Sequence, residues 1–380
     1  MGELDWPDVR SRVRGLVVGY CLGDAIGRAP EPHRATLVAG TPSMLFLAST
    51  EGVVRALVRQ QLTGLPGGVP EALWHATARL AHRARRDDLP GVVAYREAAE
   101  PGQWPDGWLS ELSLLRGGRG SAPAIEAALS LGAALDPRPG YDTSDSIGDL
   151  VLARTLPVAL LAVAMAPPGP DAEPGTPSVG LRVAETARDV AAYSHGLVGQ
   201  VLAVALTRTL AHTLLTGRIQ TVAEPADLSL VYQGVPHADD VVRARVALRA
   251  VADQLPPHAR TAEDISHGVP SGPRSALRAL TDGLRGALEH PERDQVADAL
   301  QAVIDDPQPA AAAAGAAVTM ALLGAAHGLE GLPADAVARL DVGHVADQLA
   351  SDLVTQVGGA PLAGSDGEAA KAWLTRYPPS

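Results

Sequence analysis

Cysteine occurs once in this chain of 380 residues, which excludes an internal disulfide and any zinc site built on paired thiolates. Cys21 sits in the apolar run Leu16-Val17-Val18-Gly19-Tyr20-Cys21-Leu22, so a buried structural thiol is expected there rather than a reactive one. Phenylalanine also occurs once, as Phe46, and aromatic residues make up only 3% of the chain. The 46% of hydrophobic residues must therefore fill the core mainly with Ala, Val and Leu, a composition suited to closely packed helices. Basic charge is short as well: 31 Lys and Arg face 43 Asp and Glu, a formal charge of −12, and Lys371 is the single lysine. That balance excludes a general nucleic-acid binder, which needs a basic surface to neutralise phosphates. No run reaches the ~18 apolar residues of a spanning helix. Met1-Gly2-Glu3-Leu4-Asp5-Trp6 lacks the basic-then-apolar layout of a signal peptide. The expectation is a soluble, cytoplasmic protein with no membrane partner.

What the chain has in quantity is helical periodicity. Val9, Val13, Leu16 and Val17 predict a first helix starting after Trp6-Pro7-Asp8 and ending at Leu22-Gly23-Asp24. Further helices are predicted over about 42–64, 70–86, 121–135, 148–166, 179–193, 197–216, 239–255, 274–289, 292–304, 310–328, 334–340 and 343–357. Leu228-Ser229-Leu230-Val231-Tyr232 is a possible short strand. The Pro/Gly-rich stretches 167–178 and 256–273 read as surface loops. No fixed-period repeat is present, which argues against a solenoid. The organisation expected is one all-α domain over 1–357, a single helical bundle with long loops, followed by a loosely held tail at 358–380.

The run Ala310-Ala311-Ala312-Ala313-Ala314-Gly315-Ala316-Ala317-Val318 opens the most apolar of these helices. Ala is the best helix former because it loses no side-chain entropy. Its small side chain also lets neighbouring helices approach, so this segment is expected at the centre of the bundle.

Three stretches, in order, resemble the ADP-ribosylglycohydrolase family of the dinitrogenase-reductase-activating glycohydrolase type. Arg12-Val13-Arg14-Gly15 through Gly23-Asp24-Ala25-Ile26-Gly27, followed by Pro30-Glu31, resembles the N-terminal signature. Thr143-Ser144-Asp145-Ser146-Ile147-Gly148-Asp149-Leu150-Val151-Leu152-Ala153-Arg154 resembles the ligand-loop segment, and Ala317 to Gly328 with Gly331-Leu332-Pro333 resembles the C-terminal helix and its exit. Ser194-His195-Gly196 is similar to a recurrent Thr/Ser-His turn. The resemblance implies a large orthogonal all-α bundle and a pair of Mg²⁺ ions that remove ADP-ribose from a modified side chain, with hard cations held by carboxylate oxygens. It also implies a cleft formed by Gly23, Asp24, Ser146, Gly148, Asp149 and Arg154, with Asp24, Asp145 and His195 as remnants of catalytic machinery.

In the resemblance, the metal ligands come from two Asp-bearing turns that open the second helix and the C-terminal helix. Here Thr41 and Pro42 stand at the first turn, and Ala311, Ala313 and Ala314 at the second. None supplies a carboxylate. Leu150 and Val151 replace a glycine pair and are expected to fill part of the cleft. Each surviving residue also has a plain reading: Asp24 as a helix cap, Asp145 and Ser146 as a polar turn, His195 as a structural histidine, and Arg154 as the anchor of a carboxylate between helices. Asp305-Asp306-Pro307 offers a displaced route to a metal. Ser194, His195 and Asp189 do not form a triad, since adjacent helical positions face apart and no nucleophile elbow is present; nor is there a Walker-type loop.

The expectation is thus a family fold without its metal chemistry, with no cofactor, working by holding a protein partner or a nucleotide-like ligand. The alternative is an active hydrolase with a rebuilt, Mg²⁺-dependent site drawing on Asp24, Asp145, Asp149, Asp305 and Asp306.

Overall fold

A computed structural model describes residues 6–29, 36–65, 67–99, 104–131, 144–165, 178–220, 238–253, 272, 274–305, 308–359, 362 and 367–379. The possible strand at 228–232, stretch 167–177 and nearly all of 256–273 lie outside these residues. Among those described there is no strand, only two isolated bridges, Leu37 to Leu340 and Gly148 to Ser275. The protein is an all-α bundle.

The chain begins with α1 (Trp6–Arg28), α2 (Thr41–Thr63), α3 (Val69–Arg83), α4 (Pro90–Ala98), α5 (Trp108–Glu111) and α6 (Pro123–Ser130). It continues with α7 (Leu150–Thr155), a 3-10 turn over Leu156–Leu160, α8 (Leu161–Met165), α9 (Ser178–Ala192), α10 (Leu197–Thr216) and α11 (Ala238–Asp253). Last come α12 (Ala276–Glu289), α13 (Val296–Ile304), α14 (Pro309–His327), α15 (Ala334–Arg339), α16 (Gly343–Val357) and α17 (Gly367–Arg376). Pro at the first turn and a left-handed Gly64 at the exit bound α2. α4, α5 and the helix in the tail are absent from the helices predicted by periodicity.

The central contact is α1 on α14. Gly15, Gly19, Gly23 and Gly27 recur every fourth residue and so share one face of α1. A Cβ on Gly15, Gly19 or Gly23 would overlap the backbone carbonyl of Gly324, Met320 or Ala316, and one on Gly27 would lie 2.5 Å from Ala313 Cα. The two helices meet backbone to backbone, at a distance that leaves no room for a Cβ on this face of α1. This explains why α1 runs one turn beyond the end expected at Asp24: Gly23 and Gly27 serve packing, not a turn. α12 and α13 flank α14, α16 lies along α1 and α2, and the pairs α2–α3 and α9–α10 complete one continuous core.

α10 and α14 are long and apolar enough to cross a membrane by length and composition, against the sequence expectation; 89% and 78% of their apolar windows are buried inside the bundle. Both are core helices here.

Within the tail, residues 367–379 are docked on α16. Tyr377 is fully buried and its hydroxyl donates to Asp352 Oδ2 at 2.5 Å, Arg376 pairs with the same carboxylate at 2.7 Å, and Trp373 Nε1 donates to Gln356 at 2.8 Å. The aromatic pair Trp373 and Tyr377, four residues apart, fastens α17 onto α16. A buried ionic group, Arg55, Arg79, Glu51 and Asp106, holds α2, α3 and the turn before α5 together.

Two outcomes test this packing. Gly19→Ala should destabilise the protein by about 3 kcal/mol, since a rigid carbonyl must move, whereas Gly180→Ala, in open space on α9, should be neutral or stabilising; thermal melts of the two variants decide. Tyr377→Phe should cost roughly 1–2 kcal/mol by leaving Asp352 one donor short and should speed proteolytic release of the C-terminal helix.

Candidate functional site

The N-termini of α2 and α14, the 144–149 loop and the turn before α12 surround a cavity of about 150 Å³. Thr41 and Pro42 wall it from α2, Ala310 from α14, and Ser146, Gly148, Asp149 and Leu150 from the loop and the start of α7. His195 closes its back, and Arg28, Arg119 and Arg274 line it from three other segments. A smaller, more apolar chamber of about 60 Å³ adjoins it, sharing Thr41, Arg119 and Gly120 and lined further by Met44, Leu45, Ile125 and Leu129.

The loop is held by backbone bonds from both sides. Gly196 N donates to Ser146 O at 3.0 Å, Ala276 N to Ile147 O at 2.8 Å, and Asp149 N to Arg274 O at 2.9 Å. Ser146 N donates to Ser144 Oγ and Gly148 N to Ser146 Oγ, so the Ser/Asp-rich stretch is a polar turn fixed by its own hydroxyls. Asp145 is exposed in this turn and is not part of the cavity wall.

Of the residues expected at the cleft, Ser146, Gly148 and Asp149 reach it, and the others stand elsewhere. Gly23 is consumed by the α1–α14 contact. Asp24, 1% exposed, lies beneath the wall: its Oδ2 accepts from Gly40 N at 2.8 Å and from Ser43 N and Oγ at 3.3 and 2.6 Å, and its Oδ1 pairs with Arg28 at 2.5 Å. It therefore caps α2 from the neighbouring helix, doing for Gly40 what a capping side chain would do. Ala311 and Ala313 are buried in helix packing and Ala314 partly so. Asp305 is exposed, bonded to Gln301 Nε2 at 2.6 Å, and is not part of the wall; Asp306 lies outside the described residues. Val151 is in the core, and Leu150 lines the cavity. Among the described residues no group of three or more His, Cys, Asp or Glu side chains is placed to share a metal ion.

Arg154 departs from expectation in a way that matters. It is fully buried, and among the described residues it pairs with no carboxylate. Its guanidinium donates to the Ser194 hydroxyl and to Val190 O at 3.2 Å, and lies 4.9 Å over the Trp74 ring. Burial without a counter-ion lowers its pKa to about 10. Ser194 Oγ sits 2.8 Å from His195 Nδ1. Arg can only donate, so Ser194 Oγ accepts from Arg154 and shares a second hydrogen bond with His195 Nδ1, whose direction follows the ring tautomer. Burial, then the Arg154 charge, lowers the His195 pKa to about 3, so the ring stays neutral. Its Nε2 is buried, has no hydrogen-bond partner among the described residues, and lies 3.7 Å from where a Cβ on Gly148 would stand.

The three cavity arginines were not singled out by sequence. Basic charge in this chain is almost wholly arginine, and nothing in local spacing marks Arg28, Arg119 and Arg274 as neighbours. Arg119 is anchored to Ala39 O, Leu114 O and Asp341; Arg28 keeps its remaining donors beyond the Asp24 bond, and Arg274 is exposed at the rim.

Asp149 is the one carboxylate in the wall among the described residues, and desolvation raises its pKa to about 6 against the pull of Arg274 and Arg28. With the folded value above the unfolded one, the ionised form penalises the fold: the penalty is absent below about pH 4, grows to about pH 6, and is complete above it. Asp149→Asn should therefore raise Tm at pH 7.5, on the order of 2 °C, and leave it nearly unchanged at pH 3.5, as scanning calorimetry at the two pH values will show.

A search of curated proteins finds no match. Among solved structures, the chain is similar to an "ADP-ribosylglycohydrolase-related protein complex" at 17% identity and a TM-score of 0.47, over 92% of this chain and 99% of that one. The family model for ADP-ribosylglycohydrolase matches residues 5–362, nearly the whole length. The chain belongs to the ADP-ribosylglycohydrolase family.

Proposed function

We propose that this protein keeps the family's helical scaffold but acts by binding, not by metal-assisted hydrolysis, holding a nucleotide-like ligand or a protein partner without a cofactor. The observation that carries the reading is the chemistry of the cavity wall. A Mg²⁺ pair needs an oxygen cage rich in carboxylates. Thr41, Pro42 and Ala310 supply no carboxylate at the two helix N-termini, Asp24 is spent on capping α2, and three arginines line the same space. The donor set does not fit the metal pair. No step is therefore routed through one.

A second reading keeps hydrolysis. It is favoured by Asp149, whose carboxyl, with a pKa near 6, is poised for proton transfer at the cavity wall. In that case Asp149→Asn abolishes turnover and Mg²⁺ is required.

The two readings separate in one set of measurements. Under the binding reading, calorimetric titration with Mg²⁺ gives no saturable heat, and an ADP-ribosylated protein substrate releases no ADP-ribose with or without the metal. Metal-dependent release of ADP-ribose would overturn it.

A further inference from the structure

A third cavity lies between α2, α3 and α5 and shares no wall residue with the one at the 144–149 loop. Its volume of about 20 Å³ holds one water-sized or halide-sized occupant. Glu51, Arg79, Arg83 and Ser110 line it, against Leu47 and Leu109 among other apolar side chains. The charge around it does not balance. Arg55 donates to Glu51 Oε1 at 3.2 Å, to Asp106 Oδ2 at 2.9 Å and to Asp106 O at 3.0 Å. Arg79, 2% exposed, reaches only Asp106 Oδ1, at 3.3 Å through Nη1. Its Nη2 stands 3.7 Å from Glu51 Oε2, too far for a hydrogen bond, and both Nη2 and Nε are buried without an acceptor. Arg83 donates from Nη2 to Leu112 O, while its Nε and Nη1 are buried without an acceptor and its charge faces no carboxylate partner among the described residues. Arg55, Arg79 and Arg83 therefore share Glu51 and Asp106, an excess of one positive charge. Burial, then the Arg55 charge, lowers the Arg79 pKa to about 10, and burial, then the Arg116 charge, lowers that of Arg83.

We propose that this cavity is a structural halide site, taking one chloride ion among Arg79, Arg83 and Ser110 and completing the ionic group that ties α2 and α3 to the turn before α5. Guanidiniums carry donors and no acceptor, and a halide accepts from several donors at once while asking for none in return. It also supplies the one negative charge the group lacks. A water molecule would take the same hydrogen bonds but leave the excess cation in a dry setting, which is costly. Phosphate, sulfate and carboxylate groups are too large for the volume. Glu51 lines the same cavity, but Oε1 is bonded to Arg55 and Oε2 is on the Arg79 side, so its charge is already opposed. The site is independent of the reading given to the larger cavity.

The test uses the full chain, with chloride and bromide as probes. Replacing gluconate by chloride at constant ionic strength should raise Tm by roughly 1–2 °C, saturably, because the ion binds the folded state alone. Arg83→Gln alters a half-buried residue and removes the excess charge, so it should weaken chloride by about tenfold or more and flatten that rise. Arg96→Gln, which removes the same charge from an exposed position outside this wall, should keep the parent's chloride dependence and so separates site binding from a general salt effect. A crystal of the parent protein grown in bromide should show an anomalous peak beside the Arg79 and Arg83 guanidiniums, a readout that stands even if Arg83→Gln fails to fold. Density at that place without anomalous signal, meaning water only, overturns the halide site. So does a chloride dependence that is absent from the parent or equal in Arg83→Gln and Arg96→Gln.

Discussion

The interaction on which the rest of the structure depends is the bare backbone contact between α1 and α14. Four glycines at every fourth residue of α1 meet an alanine- and glycine-rich face of α14 at a separation that no larger side chain allows. Because the two helices are separated by almost the whole chain, this contact closes the fold and fixes where both their ends point. The C-terminal end of α1 carries Asp24 to the start of α2, and the N-terminal end of α14 brings Ala310 to the same place. The cavity is a by-product of that closure.

Capping and catalysis compete for the same kind of group at such a place. A helix N-terminus buried against a neighbour needs an acceptor for its free N–H groups, and Asp24 answers that need for α2 with Ser43 and Gly40. A carboxylate so engaged has little left for a metal or substrate. The start of α14, which has no side-chain cap, three arginines and His195 stand around the same cavity. Among the described residues Asp149 is the one acidic side chain in the wall, and its raised pKa reflects how dry its surroundings are.

Much of the fold was legible in the sequence. The long helices follow from apolar spacing, Pro at first turns and Gly at exits, and their observed bounds fall within a few residues of the periodicity. The 3-10 turn at Leu156–Leu160 and α5 are too short to show a period, and α4 and α17, of 9 and 10 residues, were not read from the sequence. The end of α1 was misplaced for a different reason. Gly-Asp-x-x-Gly reads as a turn locally, and only a partner helix at backbone contact makes those glycines favourable inside a helix. The site was half legible: Ser146, Gly148, Asp149 and His195 reach the cavity, whereas Gly23 and Arg154 serve packing and a buried relay.

What the sequence alone determined is the class of the protein and a set of absences: one thiol, scant aromatics, no carboxylate at Thr41-Pro42 or across 310–314, and helical period nearly throughout. Those are local properties, carried by residue type and spacing. Tertiary structure alone decided that Arg28, Arg119 and Arg274 share one cavity, that Arg154 has Ser194 rather than a carboxylate beside it, and that Tyr377 locks the tail to Asp352. Each joins residues brought together only when the helices pack, and neither propensity nor periodicity encodes which faces will meet.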